Sequence, residues 1–247
     1  MLIAGFHPVR EALEGRPKAV EAVLLLKGKR DQRASEIEGL AREAGVAIRF
    51  VTREELDRSA GRAHNGVAAR VAERAYDSVE ECFAFGEAGN RRILFLDEIT
   101  DPGNLGSILR TAAAAGASVV IPERNSVGLT EAVVKTSAGA LERVKVARIV
   151  NASQFMESAK KQGFWVYGAA LGGETYTEVD LSGDVVLCLG AEGKGLRRLT
   201  AETCDRLVTI PMKEGAGSLN VAVAAGILLF EAMRKNFKKS ESGTEIA

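Results

Sequence analysis

Three segments of the chain carry residue types that can form a site for a small ligand. They are residues 96–111, 189–196 and 210–220. The first contains Asp-Pro-Gly-Asn and then an arginine at position 110, and the other two are glycine-rich and follow apolar runs. Glycine has no Cβ, so backbone amides and carbonyls can approach a ligand closely. These segments predict a small-molecule site built largely from backbone.

The first segment predicts a turn followed by a helix. Residues 101–103 are turn formers, and Asn104 suits the N-cap of a helix over 104–115. Spacings of three and four residues place Asn104 and Arg110 away from the apolar stripe of that helix. The planar guanidinium of Arg110 can grip a phosphate, although the same pattern is typical of a solvated helix face.

The other two segments place polar side chains among small residues. Glu192 lies between glycines, where its carboxylate would face a ligand or pair with an arginine; a flexible surface turn is the alternative. The loop lacks the spacing of a Walker A motif. Ser218 or Asn220 could cap a helix that starts at Val221, whose first residues are all small. Such a start lets a ligand or a second subunit lie against it, and both can be true.

The elements that must position these segments form two parts. Residues 1–74 predict a small α/β unit, the acidic stretch 75–90 predicts a linker with one helical turn around 79–83, and 91–247 alternates strands and helices. Such alternation predicts a mostly parallel sheet covered on both faces. The predicted strands are 22–26, 46–51, 66–71, 92–96, 118–121, 144–149, 164–170, 185–189 and 207–210. The predicted helices are 6–13, 32–44, 53–59, 104–115, 130–140, 152–162 and 221–235, and the tail from 238 is expected to be frayed.

Composition narrows the class of protein. Hydrophobic residues make up 46% and charged residues 27%, as in ordinary globular proteins. We see no signal peptide and no apolar run long enough for a membrane span, and the odd number of widely spaced cysteines favours a reducing cytoplasm. Three distant cysteines and two histidines predict neither a disulfide framework nor a metal site. The formal net charge is zero, so any contact with RNA must come from local patches.

Together, in this order and spacing, the three segments resemble the signature motifs of the SpoU (TrmH-like) RNA ribose methyltransferases. The match spans Ile93–Arg234. The N-terminal part is similar to the family's ribosomal-protein-like RNA-binding domain, through Ile3–Val9 and His64–Val67. Asn65 stands where the family pattern has Gln, which touches this domain and not the catalytic motifs. With that domain present, the likeness is greatest to the bacterial 23S rRNA guanosine 2′-O-methyltransferases.

The resemblance implies a fold, a cofactor and a set of site residues. The fold would be a knotted (trefoil, SPOUT-type) α/β catalytic domain with a mostly parallel sheet, although chains rarely knot. The cofactor would be S-adenosylmethionine and the assembly a homodimer. The backbones of Gly190, Ile210 and Leu219 would hold the cofactor, with Leu189 and Met212 nearby. The polar catalytic positions would be Asn104, Arg110, Glu192, Ser218 and Asn220, with Arg110 acting in the partner's site.

The implied reaction is an in-line attack of a ribose 2′-oxygen on the sulfonium methyl, with no metal. A free guanidinium keeps its proton and is a poor base. We therefore expect Arg110 to orient the phosphate and the 2′-oxygen, with Ser218 and Asn220 completing the hydrogen bonds. Glu192 would hold Arg110 or accept the proton.

Three alternative functions are compatible with parts of this sequence pattern. The substrate could be tRNA or another rRNA nucleotide, and a non-catalytic RNA-binding assembly factor could keep the same fold. A nicotinamide-binding Rossmann protein would also alternate strands and helices. The chain lacks that fold's glycine fingerprint after residue 96, which argues against it.

Overall fold

Two β-sheets organise the chain, one in each half. The computed structural model describes residues 1–28, 31–62, 64–72, 74–213 and 217–234. The first half contains β1 (Leu2–Ala4), α1 (Phe6–Gly15), β2 (Val20–Leu26), α2 (Gln32–Glu43), β3 (Ala47–Val51), α3 (Arg53–Ala60) and β4 (Val67–Val71). Its four strands lie in the order β1-β4-β2-β3, with β2 and β3 parallel and the other pairs antiparallel. This confirms the predicted small α/β unit.

The second half is a six-stranded parallel sheet with helices. Its elements are α4 (Val79–Ala84), β5 (Arg92–Asp97), α5 (Pro102–Ala115), β6 (Ser118–Pro122), α6 (Glu131–Ser137), β7 (Val146–Ile149), α7 (Ala152–Lys161), β8 (Trp165–Thr175), β9 (Val185–Gly190), α8 (Arg198–Thr203), β10 (Arg206–Thr209) and α9 (Val221–Arg234). The strand order is β10-β8-β9-β5-β6-β7, and each neighbouring pair is parallel. The predicted parallel sheet is therefore confirmed. The trefoil knot stays a prediction.

Apolar side chains on both faces explain why this sheet forms. β5 is buried along its whole length, and β6 and the first five residues of β9 are buried as well. Strands covered on both faces read as continuous apolar runs, as these do. One cluster of core residues extends from the first half into the second, and another lies under α4 and α7.

The connection between the halves, residues 74–85, packs onto the second sheet. Asp77 accepts hydrogen bonds from Lys145 Nζ at 2.8 Å and from Val146 N at 2.8 Å, and Arg74 Nη2 donates to it at 2.9 Å. Within α4, Cys82 and Phe83 are buried. The predicted linker, residues 75–90, thus contains the helical turn expected at 79–83 as α4, and it is tied to β7 at one end and to the core at the other.

Several elements differ from the sequence-based expectations. β1 and α8 were not predicted, because three and six residues are too few to show a periodicity. β8 continues to Thr175 and β7 starts later than expected. The helix predicted over 130–140 ends at Ser137, since Ala138 and Gly139 adopt left-handed backbone with φ of 49° and 88°; a 3₁₀ turn over Ala140–Arg143 follows. Lys235 and the tail lie outside the described residues.

Within the described ranges there is neither a membrane-spanning helix nor a cluster of metal-binding side chains. None of their helices is long and apolar enough to cross a membrane. They contain no group of three or more His, Cys, Asp or Glu side chains arranged to hold a metal ion.

A carboxylate ties the start of β5 to the turn before β9. Asp184 accepts hydrogen bonds from Arg91 N at 2.7 Å, from Arg91 Nη2 at 2.6 Å and from Gly89 N at 3.3 Å. Burial raises the pKa of Asp184, but the hydrogen bonds from Arg91 outweigh it and hold the pKa below its usual value. A depressed carboxyl pKa stabilises the fold above the unfolded pKa of about 3.9, and that stability is lost as pH falls through the folded-state value.

We therefore expect Asp184→Asn to lower the free energy of unfolding by about 1–3 kcal/mol at pH 7. The difference from the wild type should shrink as pH falls below about 4, where the wild-type carboxylate also takes up its proton. Urea unfolding at pH 7 and pH 3 measures it. An equal loss at both pH values would contradict this role.

Candidate active site

A cavity of about 370 Å³ lies where β9 and β10 end and α9 begins. All five residues predicted to hold the cofactor line it: Leu189, Gly190, Ile210, Met212 and Leu219. Glu192 and Ser218 line it too. Ligands of parallel α/β sheets bind outside the carboxyl ends of the strands, as here. The structure thus brings together residues from two distant segments around one space of ligand size.

The loop after β9 closes on itself because Gly190 has no side chain. Gly195 N donates to Ala191 O at 2.8 Å and the same two residues form an isolated bridge. A Cβ at Gly190 would overlap the backbone of Gly195 and Leu196. The loop can therefore form only with glycine at position 190.

Three of the predicted polar residues meet at the edge of this cavity. Asn220 Nδ2 donates to Glu192 Oε1 at 2.6 Å and lies 2.8 Å from Asn104 Oδ1. Asn104 Nδ2 donates to Glu192 Oε1 at 3.2 Å, and Val221 N donates to the same oxygen at 3.3 Å. Glu192 Oε2 has no hydrogen-bond partner among the described residues. The amides therefore fix the carboxylate and leave one of its oxygens available.

Helix capping positions two of these side chains. Asn220 Oδ1 accepts from Ala222 N at 2.9 Å, so Asn220 caps α9 and Ser218 does not. The expectation that Asn104 caps α5 is wrong: the cap is Asp101, whose Oδ1 accepts from Asn104 N at 2.7 Å. The helix begins at Pro102, because proline suits the first helical position. This releases the Asn104 amide to contact Glu192.

Arg110 and Ser218 form no hydrogen bond with the described residues of the Asn104–Glu192–Asn220 cluster. Arg110 is exposed and makes no hydrogen bond or ion pair with any described residue. It follows Asn104 by six residues, which is about 9 Å along the axis of α5. Ser218 is exposed at the cavity. Within one chain, Arg110 therefore does not complete the site.

Next to the site, a buried carboxylate pairs with a half-exposed arginine, and the sequence had not singled out either residue. Asp97, at the end of β5, is 1% exposed. It accepts hydrogen bonds from Arg197 N at 3.0 Å and Arg197 Nε at 2.7 Å. The hydrogen bond to Asp97 raises the pKa of Arg197. The sequence does hold one indication of this pair: a single acidic residue, Asp97, directly follows the apolar run 93–96. The pair fastens the end of the 190–197 loop to the sheet.

Arg197→Met should lower the free energy of unfolding by about 1–3 kcal/mol, because it removes the side-chain partner of the buried Asp97 carboxylate, although solvent at the half-exposed position 197 reduces the loss. Arg198→Met is the matched control, since Arg198 is a surface residue paired with Glu202. It should cost about 1 kcal/mol or less. Chemical denaturation of both variants compares them. Equal losses would show that Asp97 does not need this partner.

The fold and site define a parallel α/β ligand-binding domain joined to a small α/β domain. The SpoU rRNA Methylase family model matches residues 91–230, and a model described as RNA 2′-O ribose methyltransferase substrate binding matches residues 2–77. The chain therefore belongs to the SpoU rRNA methylase family.

Comparisons with individual proteins of known sequence or structure support this family assignment. The 23S rRNA (guanosine-2′-O-)-methyltransferase RlmB of Xanthomonas campestris pv. campestris is 44% identical, with 94% of this chain and 96% of the relative covered. The putative TrmH family tRNA/rRNA methyltransferase YacO of Bacillus subtilis is 42% identical, with 82% and 83% covered. The crystal structure of the SpoU methyltransferase AviRb of Streptomyces viridochromogenes in complex with AdoMet matches with a TM-score of 0.81 at 26% identity, covering 96% and 90%.

Proposed function

We propose that this protein transfers a methyl group from S-adenosylmethionine to the ribose 2′-OH of a guanosine in 23S rRNA. The relative with 44% identity over almost the whole of both chains carries that activity in its name. The observation that carries the proposal is the Asn104–Glu192–Asn220 cluster at the edge of an apolar cavity. It places an oriented carboxylate beside a space of ligand size.

The residues around the cavity fit the cofactor. Its volume of about 370 Å³ lies within the range of small-molecule sites. Apolar side chains and glycine backbone form most of the lining, and the carboxylate of Glu192 complements a positively charged sulfonium. When bound, S-adenosylmethionine supplies an already activated methyl group. We propose that Leu189, Gly190, Ile210, Met212 and Leu219 hold it.

The chain itself must position the ribose and take up its proton. Glu192 Oε1 is occupied by three donors, so its orientation is fixed. Oε2 can accept the proton of the 2′-OH as the oxygen attacks. We propose Ser218 and Asn220 as further hydrogen-bonding residues. Positioning of reacting groups can lower a barrier by about 7–11 kcal/mol at best.

A homodimer would bring Arg110 into this arrangement. α9 exposes an apolar stripe, Val223, Ile227 and Phe230, at spacings of four and three residues; Val223 is 51% and Phe230 is 46% exposed. The stripe lies on the helix that packs against α5, near Thr111. We propose that two chains associate through these helices and that each Arg110 reaches the partner's cavity.

Phe230→Glu should therefore produce monomers, because it puts a charge into the proposed contact. Sedimentation equilibrium measures the change, and Leu199→Glu is the control, since Leu199 is also exposed but lies on α8. Dimers that survive Phe230→Glu would rule out this contact.

Transfer of labelled methyl groups to 23S rRNA transcripts and to bulk tRNA tests the function. We expect alkali-resistant 2′-O-methylguanosine in 23S rRNA alone. Label in tRNA would favour the second substrate class, which the tRNA/rRNA name of the Bacillus subtilis relative supports. Cofactor binding without transfer to either RNA, or to ribosomal particles, would favour the non-catalytic assembly factor. We also propose a cytoplasmic location, since the substrate is ribosomal and the three cysteines are free.

A further inference from the structure

A second cavity, of about 530 Å³, adjoins the first. The two share Ala191, Glu192, Lys194 and Val221 as lining residues, so they are separated only by the Glu192 region. The second cavity is polar and is lined by Glu98, Asp101, Asn104 and Asn125 besides. Whatever occupies it lies against the proposed proton acceptor. Its size falls within the range of ligand sites.

Two strained residues shape one wall of this second cavity. Glu98 and Asn125 both have left-handed backbone, with φ of 62° and 57°. For Glu98 this costs roughly 1–2 kcal/mol, whereas asparagine tolerates this conformation more easily. Asn125 Nδ2 donates to Glu98 Oε1 at 3.1 Å, and Arg197 Nη1 lies 3.5 Å from the same oxygen. Strain of this kind persists where the surrounding structure enforces it, often at a binding site.

Among the three carboxylates of this cavity, Glu98 is the one that no helix end or catalytic cluster uses. Asp101 caps α5 and Glu192 is held by Asn104 and Asn220. Both contacts of Glu98 use Oε1, and its Oε2 has no hydrogen-bond partner in the part of the chain that the structure describes. The cavity thus presents a fixed carboxylate with an available oxygen.

The charge of the lining selects the chemistry of the occupant. Three carboxylates against the single ammonium of Lys194 leave the lining with a net negative charge, which disfavours a phosphate and favours a group rich in hydrogen-bond donors. Among the RNA bases, guanine alone carries two adjacent donors, N1–H and N2–H₂, on its Watson–Crick edge. A carboxylate accepts from both with its two oxygens, whereas adenine and cytosine would place a ring acceptor against it.

We propose that the second cavity receives the target nucleoside and that Glu98 selects guanine through N1–H and N2–H₂. This inference rests on the proposed function. The base lies against Glu98, the ribose lies beside Glu192, and the shared wall joins the acceptor to the cofactor cavity. Asn125 and Arg197 hold the Glu98 carboxylate in place. Glu98 is a specificity residue and takes no part in proton transfer.

The test compares 23S rRNA transcripts that carry guanosine or inosine at the methylated position, which is first mapped with the wild type. Inosine lacks only the 2-amino group. We expect inosine to lower kcat/KM of the wild type by about 10- to 100-fold, the effect of one hydrogen bond to a charged group. Glu98→Gln should lower kcat/KM for guanosine to a similar extent and reduce the guanosine-to-inosine ratio towards one. The Kd for S-adenosylmethionine, measured by calorimetry, should stay within twofold.

Controls keep the outcomes separate. Glu123→Gln removes an exposed carboxylate at the end of β6 and should change neither rate by more than twofold. The inosine comparison on the wild type needs no variant, so it stands even if Glu98→Gln does not fold. Equal rates on guanosine and inosine, or an unchanged ratio in Glu98→Gln, would overturn the inference and leave the proposed function intact. A wild type that methylates no RNA would overturn both.

Discussion

Arg110→Ala is expected to lower kcat/KM for methyl transfer by about 10²- to 10⁴-fold, while the Kd for S-adenosylmethionine stays unchanged. The range is that of losing one oriented catalytic group. Arg110 is exposed and has no partner among the described residues, so its removal leaves the fold and the cofactor cavity intact. Labelled methyl transfer and calorimetry measure the two effects. Turnover retained by the variant would show that Arg110 is not essential.

Arg110→Lys separates charge from geometry. A lysine keeps the positive charge but lacks the planar fork that binds a phosphate or carboxylate through two parallel hydrogen bonds. We therefore expect an activity between those of the wild type and Arg110→Ala. Activity equal to the wild type would mean that charge alone is needed.

If the proposed dimer forms, mixed dimers of two variants show whether Arg110 acts in the active site of its own chain or in that of its partner. Arg110→Ala and Asn220→Ala should each be inactive alone. If Arg110 acts in the partner's site, refolding an equal mixture restores about a quarter of wild-type activity, since half of the dimers are mixed and each has one intact site. If Arg110 acts within its own chain, both sites of a mixed dimer lack one residue and no activity returns. The two arrangements therefore give opposite results.

Gly190→Ala is expected to abolish cofactor binding, with a Kd raised by at least about 100-fold. The added Cβ would overlap the backbone of Gly195 and Leu196. Backbone at the end of a buried strand cannot move aside as a flexible side chain does. The 190–197 loop would open, and Ile210 and Leu219 would lose the opposite wall of their cavity. Calorimetry and a thermal shift with S-adenosylmethionine measure the loss.

Gly39→Ala is the matched control, since Gly39 lies within α2 and its added Cβ would meet nothing within 4 Å. It should bind the cofactor normally and gain roughly 0.5–1 kcal/mol in stability. Wild-type cofactor affinity in Gly190→Ala would mean that the closed loop is not required for binding.

The general architecture could be predicted from the sequence, because strands that are buried on both faces appear in it as continuous apolar runs. Continuous apolar runs such as 92–96 and 185–189 predicted buried parallel strands, and the structure has them as β5 and β9. The cap of α9 was predicted as Ser218 or Asn220, and in the structure it is Asn220, which lies directly before the apolar helix. It failed at Asn104, because Asp101 is an equally good cap and Pro102 fixes the helix start one turn earlier.

The assembly of the site was beyond local patterns. Asn104 and Asn220 are 116 residues apart, and both reach Glu192 only because β9 lies beside β5 in the sheet. No periodicity encodes strand order, so these residues were found through the likeness to a family. Asp97 and Arg197 show the limit of that approach: Asp97 lies in the first segment but is not one of its predicted site residues, Arg197 directly follows the second segment, and their contact forms only once the 190–197 loop is folded.

The packing of residues 74–85 fixes the distance between the first half of the chain and the cavity in the second half. Asp77 is held by Arg74, Lys145 and Val146, and Arg16 pairs with Glu142 between α1 and the 3₁₀ turn. These contacts make the connection between the two halves rigid and not a flexible linker. The distance from the first half, which the substrate-binding family model matches, to the cavity of the same chain is therefore fixed. If the first half binds the RNA, as we propose, the RNA must present its binding feature and its target ribose at that separation, which makes distance a criterion of selection alongside the identity of the base.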